Sequence, residues 1–329
     1  MRTEHDMNHK VKTALIFGIT GQDGSYLARF LLGKQYRVVG VSRGSDPTSS
    51  PNLCSLGINR DVELITADLV DFHSVLQVID KIKPDEIYNL AGQSSVSLSF
   101  RQPIETMKSF VMGMLNILEA VRTVDSTIKV LNTASTECFG NNGVNIVHEN
   151  TPFNPQSPYA TAKISTYWQI VNYRETYGMY LCTGIMSNHE SPLRPEFYVT
   201  RKIVAAACRI AENKQKTLEL GDLNIIRDWG WAPEYVEGMW TMLQHEVPDD
   251  YIIATGKSHS LKKFVELVFK EVGLNWENHV SYSSDFVRPA DIATMYVDPS
   301  KASNVLKWKS KVSFNELIKK LVNAELEQL

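Results

Sequence analysis

Tyr159-Ala-Thr-Ala-Lys163 sets a phenol and an ammonium four residues apart, on one face of a helix. A free tyrosine titrates near about 10. A neighbouring cation favours the phenolate, so such a tyrosine can take a proton near neutral pH. Upstream, Thr133-Ala134-Ser135-Thr136-Glu137 offers a hydroxyl and a carboxylate two residues apart. A hydroxyl beside Tyr159 can polarise a sugar carbonyl or hydroxyl, and the three groups together suit hydride transfer at a carbon bearing oxygen. That transfer needs no carboxylate. Glu137 adds one, able to take a C–H proton next to a newly made ketone and then to protonate a departing hydroxyl. Those are the two tasks of an elimination. The plainer reading of Glu137 is a cap or an ion pair on a loop.

A second group of residues suits a phosphate ligand. Gly18-Ile19-Thr20-Gly21-Gln22-Asp23-Gly24 is a GxxGxxG run. Glycines let the backbone approach a pyrophosphate, and a following helix offers free N–H groups and a positive dipole end. The next strand ends Val41-Ser42-Arg43-Gly44, with an arginine where an acid would hold a ribose 2′-hydroxyl. Arginine can pair a 2′-phosphate, which favours NADP over NAD; otherwise Arg43 is an exposed loop cation. Asp68, ending a third strand, either accepts from an adenine amino group or caps the helix behind it.

These groups need a scaffold, and the pattern of apolar residues supplies it. Strands are expected at 11–17, 36–42, 61–67, 86–91, 128–135 and 179–186. Helices are expected at 25–35, 72–82, 159–177 and, as one long element, 103–124. This alternation predicts an α/β fold, a Rossmann-type doubly wound parallel sheet. After Ser187 short strands mix with helices at 199–213 and 261–273, as in a smaller C-terminal α/β lobe. The expected division is 11–186 for the nucleotide domain and 187–329 for substrate, with part of the chain returning to the first and a hinge near the two prolines of SNHESPLRPE.

Composition narrows the class. The 329 residues are 43% hydrophobic and 22% charged, enough for a sizeable core. A balance of 34 basic against 37 acidic residues leaves no basic excess for a nucleic acid. No 18-residue apolar run or secretory h-region exists, so neither a membrane span nor a signal is expected. Cys54, Cys138, Cys182 and Cys208 fit no zinc module and read as reduced thiols in a cytoplasmic protein. His5 and His9 lie in a polar tail, and no metal is expected.

Taken together, the motifs identify a family. GITGQDGSYLA (18–28), PDEIYNLAGQSSV (84–96), STECFG (135–140), SPYATAK (157–163), NYRETYGMY (172–180), SNHESP (187–192), VTRKI (199–203), RDWG (227–230), YIIATG (251–256) and RPAD (288–291) carry the resemblance. From about Lys12 to about Val322 the chain resembles the GDP-mannose 4,6-dehydratases, an extended branch of the short-chain dehydrogenase/reductase superfamily.

The resemblance implies a redox-neutral cycle with tightly held NADP. Tyr159 takes the C4 hydroxyl proton, Glu137 removes the C5 proton and helps water leave C6, and Ser135 stands for the family's active-site threonine. The product is a 4-keto-6-deoxy sugar still on GDP. The cofactor set it implies adds Leu69, Leu90, Ala91 and Gln93 to the glycine run, Arg43, Asp68, Tyr159 and Lys163. For the GDP-sugar it implies Ser94, Asn188, Glu190, Val199, Lys202, Arg227, Arg288 and Asp291. It also implies a homodimer or homotetramer, with 103–124 and 159–177 in a four-helix contact.

Three positions depart from the family pattern. Gly44 replaces a second arginine, Trp231 follows RDWG in place of histidine, and LRPEFY (193–198) replaces an Arg-Gly-containing stretch. The last two leave a modified hexose or a heptose on GDP as an alternative substrate. An epimerase or 4-ketoreductase with the same tyrosine and lysine is a further alternative, against which Glu137 argues.

Overall fold

The computed structural model describes residues 11–43, 50–141, 143, 146–286 and 290–328. Arg288, Gly44 and the His5/His9 pair lie outside the described residues.

The first six strands are β1 (Thr13–Phe17), β2 (Arg37–Ser42), β3 (Glu63–Thr66), β4 (Glu86–Asn89), β5 (Lys129–Ser135) and β6 (Leu181–Met186). Six shorter ones follow: β7 (Asn188–Glu190), β8 (Leu218–Leu220), β9 (Ile226–Trp231), β10 (Tyr251–Ile253), β11 (Ser258–Ser260) and β12 (Val280–Tyr282). The helices of the first half are α1 (Gln22–Gly33), α2 (Pro51–Ser55), α3 (Phe72–Ile82), α4 (Val96–Arg101), α5 (Pro103–Met107), α6 (Gly113–Val124) and α7 (Pro158–Tyr177). Those of the second are α8 (Val199–Ala211), α9 (Ala232–Gln244), α10 (Leu261–Glu271) and α11 (Phe314–Leu326).

A seven-stranded sheet runs β10-β6-β5-β4-β1-β2-β3, with every neighbouring pair parallel. Strands covered on both faces need apolar residues throughout, and β1, TALIF, is buried at every position. One face is closed by α1 and α9, through Leu27, Leu31, Val236 and Met239. The other is closed by α3 and α6, through Val75, Ile79, Ile117 and Val121. Strand order reverses between β1 and β4, so the crevice for a ligand lies at the carboxyl ends of these strands. A smaller lobe packs α8, α10 and α11 around Ile203, Phe264 and Leu321, beside a β11-β9-β7 sheet and a β12-β8 pair.

Two expectations are corrected. The helix expected over 103–124 is not one regular element. A π-helical turn at Lys108–Met112 separates α5 from α6. It sets Phe110 edge-on to Tyr159, with ring centroids 5.7 Å apart, a placement that period-3.6 reading cannot foresee. The hinge expected near SNHESPLRPE is instead, at 188–190, a strand. There β7 pairs with β9, and Ser187, His189 and Ser191 are buried and hydrogen-bonded.

Candidate active site

The strand ends and α7 bring the reactive side chains together. Ser157 caps α7, accepting from the Ala160 N–H at 3.1 Å, and Pro158 opens the helix. This fixes Tyr159 in the first turn. Ser135 ends β5, and its Oγ accepts from the Glu137 N–H at 3.2 Å. That cap turns the chain into a short 3₁₀ segment carrying Glu137. The Ser135 side chain lies close enough to Tyr159 to favour its phenolate.

Lysine and tyrosine are both buried, and their electrostatics differ from the sequence expectation. Burial pushes the Tyr159 phenol well up; Cys138, Tyr198 and Glu137 add to this, and Ser135 opposes it. Lys163 does not lie against the phenol oxygen. Its Nζ donates to the Thr133 carbonyl at 2.7 Å and to Thr133 Oγ1 at 3.3 Å, over the Phe110 ring at 4.3 Å. Burial lowers the Lys163 ammonium to about 8. In this state the lysine is a group held ready at the strand end, and the phenol keeps its proton.

Around the glycine run, Gly18 has φ +82°, and a Cβ there would meet the Leu90 and Ala91 backbone at 2.8 Å. A Cβ on Gly24 would lie 2.3 Å from Gly18 O, so α1 packs hard on the loop. Gly21 is the N-cap of α1, whose first amides have no partner within the helix. Gln22 accepts from Ser191 Oγ at 2.8 Å. Asp23 Oδ2 lies 2.9 Å from His189 Nε2, while His189 Nδ1 meets the Ser187 carbonyl at 2.7 Å. Both partners of this imidazole only accept, so both ring nitrogens carry protons and His189 is a cation. Burial alone would raise Asp23, but His189 and Gln22 hold it down at about 2. Thr20 accepts through its carbonyl from Asn52 at 2.9 Å.

The remaining cofactor candidates border the same crevice. Arg43 leaves β2 and is 73% exposed at its side chain, 3.8 Å from Glu105. Asp68 accepts from the Val70 N–H at 3.0 Å, while Asp71 caps α3 through the His73 N–H; the helix-cap reading of Asp68 is thus corrected. Leu69 is buried, and Leu90 and Ala91 directly follow β4. Gln93 donates to the Ser95 carbonyl at 2.9 Å.

Among the substrate candidates, Ser94 Oγ lies 2.6 Å from the Tyr198 hydroxyl. Asn188 pairs with Trp229 in the β7–β9 ladder. Glu190 is buried, accepting from Thr200 at 2.7 Å and paired with Arg194 at 3.3 Å. Val199 opens α8. Lys202 donates to the Glu219 carbonyl at 2.8 Å, over the exposed Phe286 ring. Arg227 is almost wholly enclosed, between Glu137 at 3.4 Å and Asp291 at 3.0 Å. Trp231, expected near the sugar pocket, packs with the lobe core instead, under Lys320 of α11.

Sequence reasoning missed His189, Arg194 and Tyr198. Arg194 lies over the Tyr198 ring at 3.9 Å, within electrostatic reach of both Asp23 and Tyr159. The cue for Arg194 and Tyr198 was the LRPEFY stretch itself, noted as a departure but not as a source of site residues; His189 lies in SNHESP, beside Asn188 and Glu190.

Comparison with known proteins follows this geometry. The family model described as GDP-mannose 4,6 dehydratase matches residues 15–321. GDP-mannose 4,6 dehydratase 2 of Arabidopsis thaliana is 47% identical over 326 residues, covering 96% of this chain and 87% of that protein. GDP-mannose 4,6-dehydratase of Vibrio cholerae is 38% identical over 350 residues, covering 96% and 94%. Among solved structures, a UDP-glucose 4-epimerase of Thermotoga maritima superposes with TM-score 0.85 at 22% identity, covering 96% of this chain and 99% of that one. A dTDP-glucose 4,6-dehydratase of Bacillus anthracis superposes with TM-score 0.83 at 21% identity, covering 96% and 97%. The two structures share the fold; sequence and site go further, and this chain belongs to the GDP-mannose 4,6-dehydratase family.

Proposed function

We propose that the protein is a lyase that converts GDP-mannose to GDP-4-keto-6-deoxy-mannose, with NADP as a cofactor regenerated in each turnover. The observation that carries this reading is Glu137 placed one short turn beyond Ser135, both within electrostatic reach of the Tyr159 phenol. A reaction confined to C4 has no use for that carboxylate.

The residues present fit a dinucleotide. Gly18, Gly21 and Gly24 carry no Cβ where the loop turns into α1, and the crevice lies at the β1/β4 switch point. Gly18, Thr20, Gly21, Gln22, Asp23 and Gly24 would hold the pyrophosphate side. Arg43 would meet the 2′-phosphate, Asp68 and Leu69 the adenine side, and Leu90, Ala91, Gln93 and Lys163 the nicotinamide end. A nicotinamide held there would supply a reversible hydride acceptor, and its positive charge in the oxidised form would offset the burial of the Tyr159 phenol.

The chain's own groups handle the protons. Tyr159 takes the proton of the C4 hydroxyl, and Ser135 orients that oxygen. Glu137 then takes the C5 proton, made acidic by the C4 ketone, and gives a proton to the C6 hydroxyl, which leaves as water. As the hydride returns to C6, the proton that Tyr159 took from the C4 hydroxyl is passed on to C5. Atoms and electrons balance with the loss of one water. Ser94, Asn188, Val199 and Lys202 would contact the GDP-sugar, with Arg288 as a further cation for the diphosphate. Residues 11–186 serve mainly the cofactor and 187–329 mainly the sugar nucleotide.

Among the described residues no helix is long and apolar enough to cross a membrane. The four free thiols fit a reducing compartment, and the cytoplasm is the proposed location. Ile104, Met112, Trp168 and Tyr177 are exposed on the adjoining 103–112 and 158–177 segments. This apolar surface supports a homodimer.

The test is mass spectrometry of the purified protein with GDP-mannose and no added reductant. Loss of one water from the sugar nucleotide is the expected result. An unchanged mass would overturn the GDP-mannose assignment, and repetition with other GDP-hexoses would show whether the chemistry survives on another sugar.

A further inference from the structure

The arginine at the end of β2 has company. Val41-Ser42-Arg43 closes the strand without an acid, yet a carboxylate reaches the spot from elsewhere in the chain. Glu105 lies in α5, beyond β4, and its Oε1 sits 3.8 Å from Arg43 Nη1. Both side chains are more than half exposed, at 73% for Arg43 and 55% for Glu105. An exposed pair at that separation is weak, so it does not hold Arg43 back from a ligand. It does fix which charge stands beside that arginine.

The backbone that carries Glu105 is set by the site itself. The neighbouring Thr106 is buried; its hydroxyl donates to the Gln102 carbonyl at 2.8 Å and accepts from Gln93 at 3.5 Å. Met107, one residue further, packs with Phe110 and Tyr159. Gln93 is a cofactor candidate and Tyr159 the reacting phenol. The approach of Glu105 to Arg43 therefore belongs to an anchored helix, not to a loose loop.

We propose that Glu105 is a specificity-determining residue for the dinucleotide, narrowing the preference for NADP that Arg43 creates. The two cofactors differ at one place, a 2′-phosphate in NADP and a 2′-hydroxyl in NAD. Arg43 favours the phosphate through charge-assisted hydrogen bonds. A carboxylate beside it works in the opposite sense. Any anion that approaches Arg43 also approaches Glu105, well inside the Debye length of about 8 Å at physiological salt. The same carboxylate can accept from a hydroxyl. Dinucleotide sites that take NAD place such an acid after the second strand; here α5 supplies it from more than sixty residues away.

This inference rests on the cofactor reading above, in which Arg43 meets the 2′-phosphate, and the two fail separately. Purified holoenzyme, wild-type and Glu105→Gln, is equilibrated with equal concentrations of NADP and NAD until the bound composition is constant. Unbound cofactor is removed, the protein is denatured, and the released dinucleotides are quantified by mass spectrometry. Neutralising the acid should raise the bound NADP-to-NAD ratio by about fivefold. Glu105→Asp keeps the charge and should stay within about twofold of wild type. A ratio unchanged by Glu105→Gln, or moved toward NAD, would overturn the proposal. So would an equal rise in Glu105→Asp, since shape and not charge would then be responsible. Wild-type protein that retains neither dinucleotide would instead overturn the cofactor reading itself. None of these outcomes depends on whether GDP-mannose is dehydrated.

Discussion

Glu137 separates this site from one that only moves a hydride. Replacing it with glutamine keeps the shape and the contact with the Ser135 cap while removing the base. Glu137→Gln should lower product formation by about 10²–10³-fold while GDP-mannose still reduces bound cofactor, seen as a rise in reduced-nicotinamide absorbance. Stopped-flow absorbance with mass analysis of the product distinguishes this from general loss of activity, and product at the wild-type rate would sink the assignment. Arg43 poses a simpler question. Its side chain is exposed and loosely paired, so Arg43→Ala should leave the fold intact and weaken NADP about tenfold more than NAD, the loss of one charge-assisted contact. Equal weakening of both in a binding titration would remove the 2′-phosphate role. Tyr159 and Lys163 were legible because their spacing is local and helical. The contacts Lys163–Thr133, Ser94–Tyr198 and Arg227–Glu137 were not, because each joins residues from distant elements that meet only in the folded chain.

The strand ends and helix starts carry the next layer of argument. The loop into α1 has no room for a side chain at Gly24, where the obstructing atoms are backbone, Gly18 O at 2.3 Å and Ile19 Cα at 2.6 Å. Gly24→Ala should destabilise the protein by about 2–3 kcal/mol and weaken cofactor binding, seen as a lower melting temperature both with and without NADP. The same helix is tied to β7 through Asp23 and His189. Burial opposes the His189 charge, yet Asp23 leaves its pKa raised overall. A raised folded value means that the native state holds its proton longer than the unfolded chain. The stabilisation is therefore full below about 6.5 and is lost as pH rises through the folded value. Melting temperature should fall with pH in that range, and Asp23→Asn should flatten the fall; an unchanged slope would show that the imidazole is not the titrating group. At this scale the main sheet was readable, because buried strands and amphipathic helices leave strong patterns. β7 was not: Asn-His-Glu has no apolar alternation and reads as a turn beside prolines. Its order comes from pairing with β9 and from polar side chains that find partners only across the molecule. The π-helical turn escaped for a related reason, since one extra residue in a helix changes no composition and little periodicity.

For the molecule as a whole, the sheet and lobe are threaded through one another. A double change, Ile104→Glu with Trp168→Glu, should convert a dimer to a monomer in analytical ultracentrifugation without unfolding it. A wild-type protein that sediments as a monomer would remove the basis for a four-helix contact. The doubly wound class followed from the alternation of strands and helices, whereas the order of the strands is known only from the folded chain. The return of α9 and β10 to the first sheet was foreseeable only in outline, since nothing in a short apolar strand names the edge it will join.

That return has a consequence for synthesis. The apolar side of α1 is closed by Ala232, Tyr235, Val236 and Met239 of α9, and β6 gains its outer neighbour only when β10 arrives. Arg174 of α7 likewise waits for Asp250, its partner at 2.7 Å. A chain emerging from the ribosome cannot complete its nucleotide half when that half has been translated, because the covering helix and last strand are still to come. Nascent chains arrested near residue 190 should therefore be digested readily by protease, and resistance should appear only once residues past Ile253 have cleared the exit tunnel.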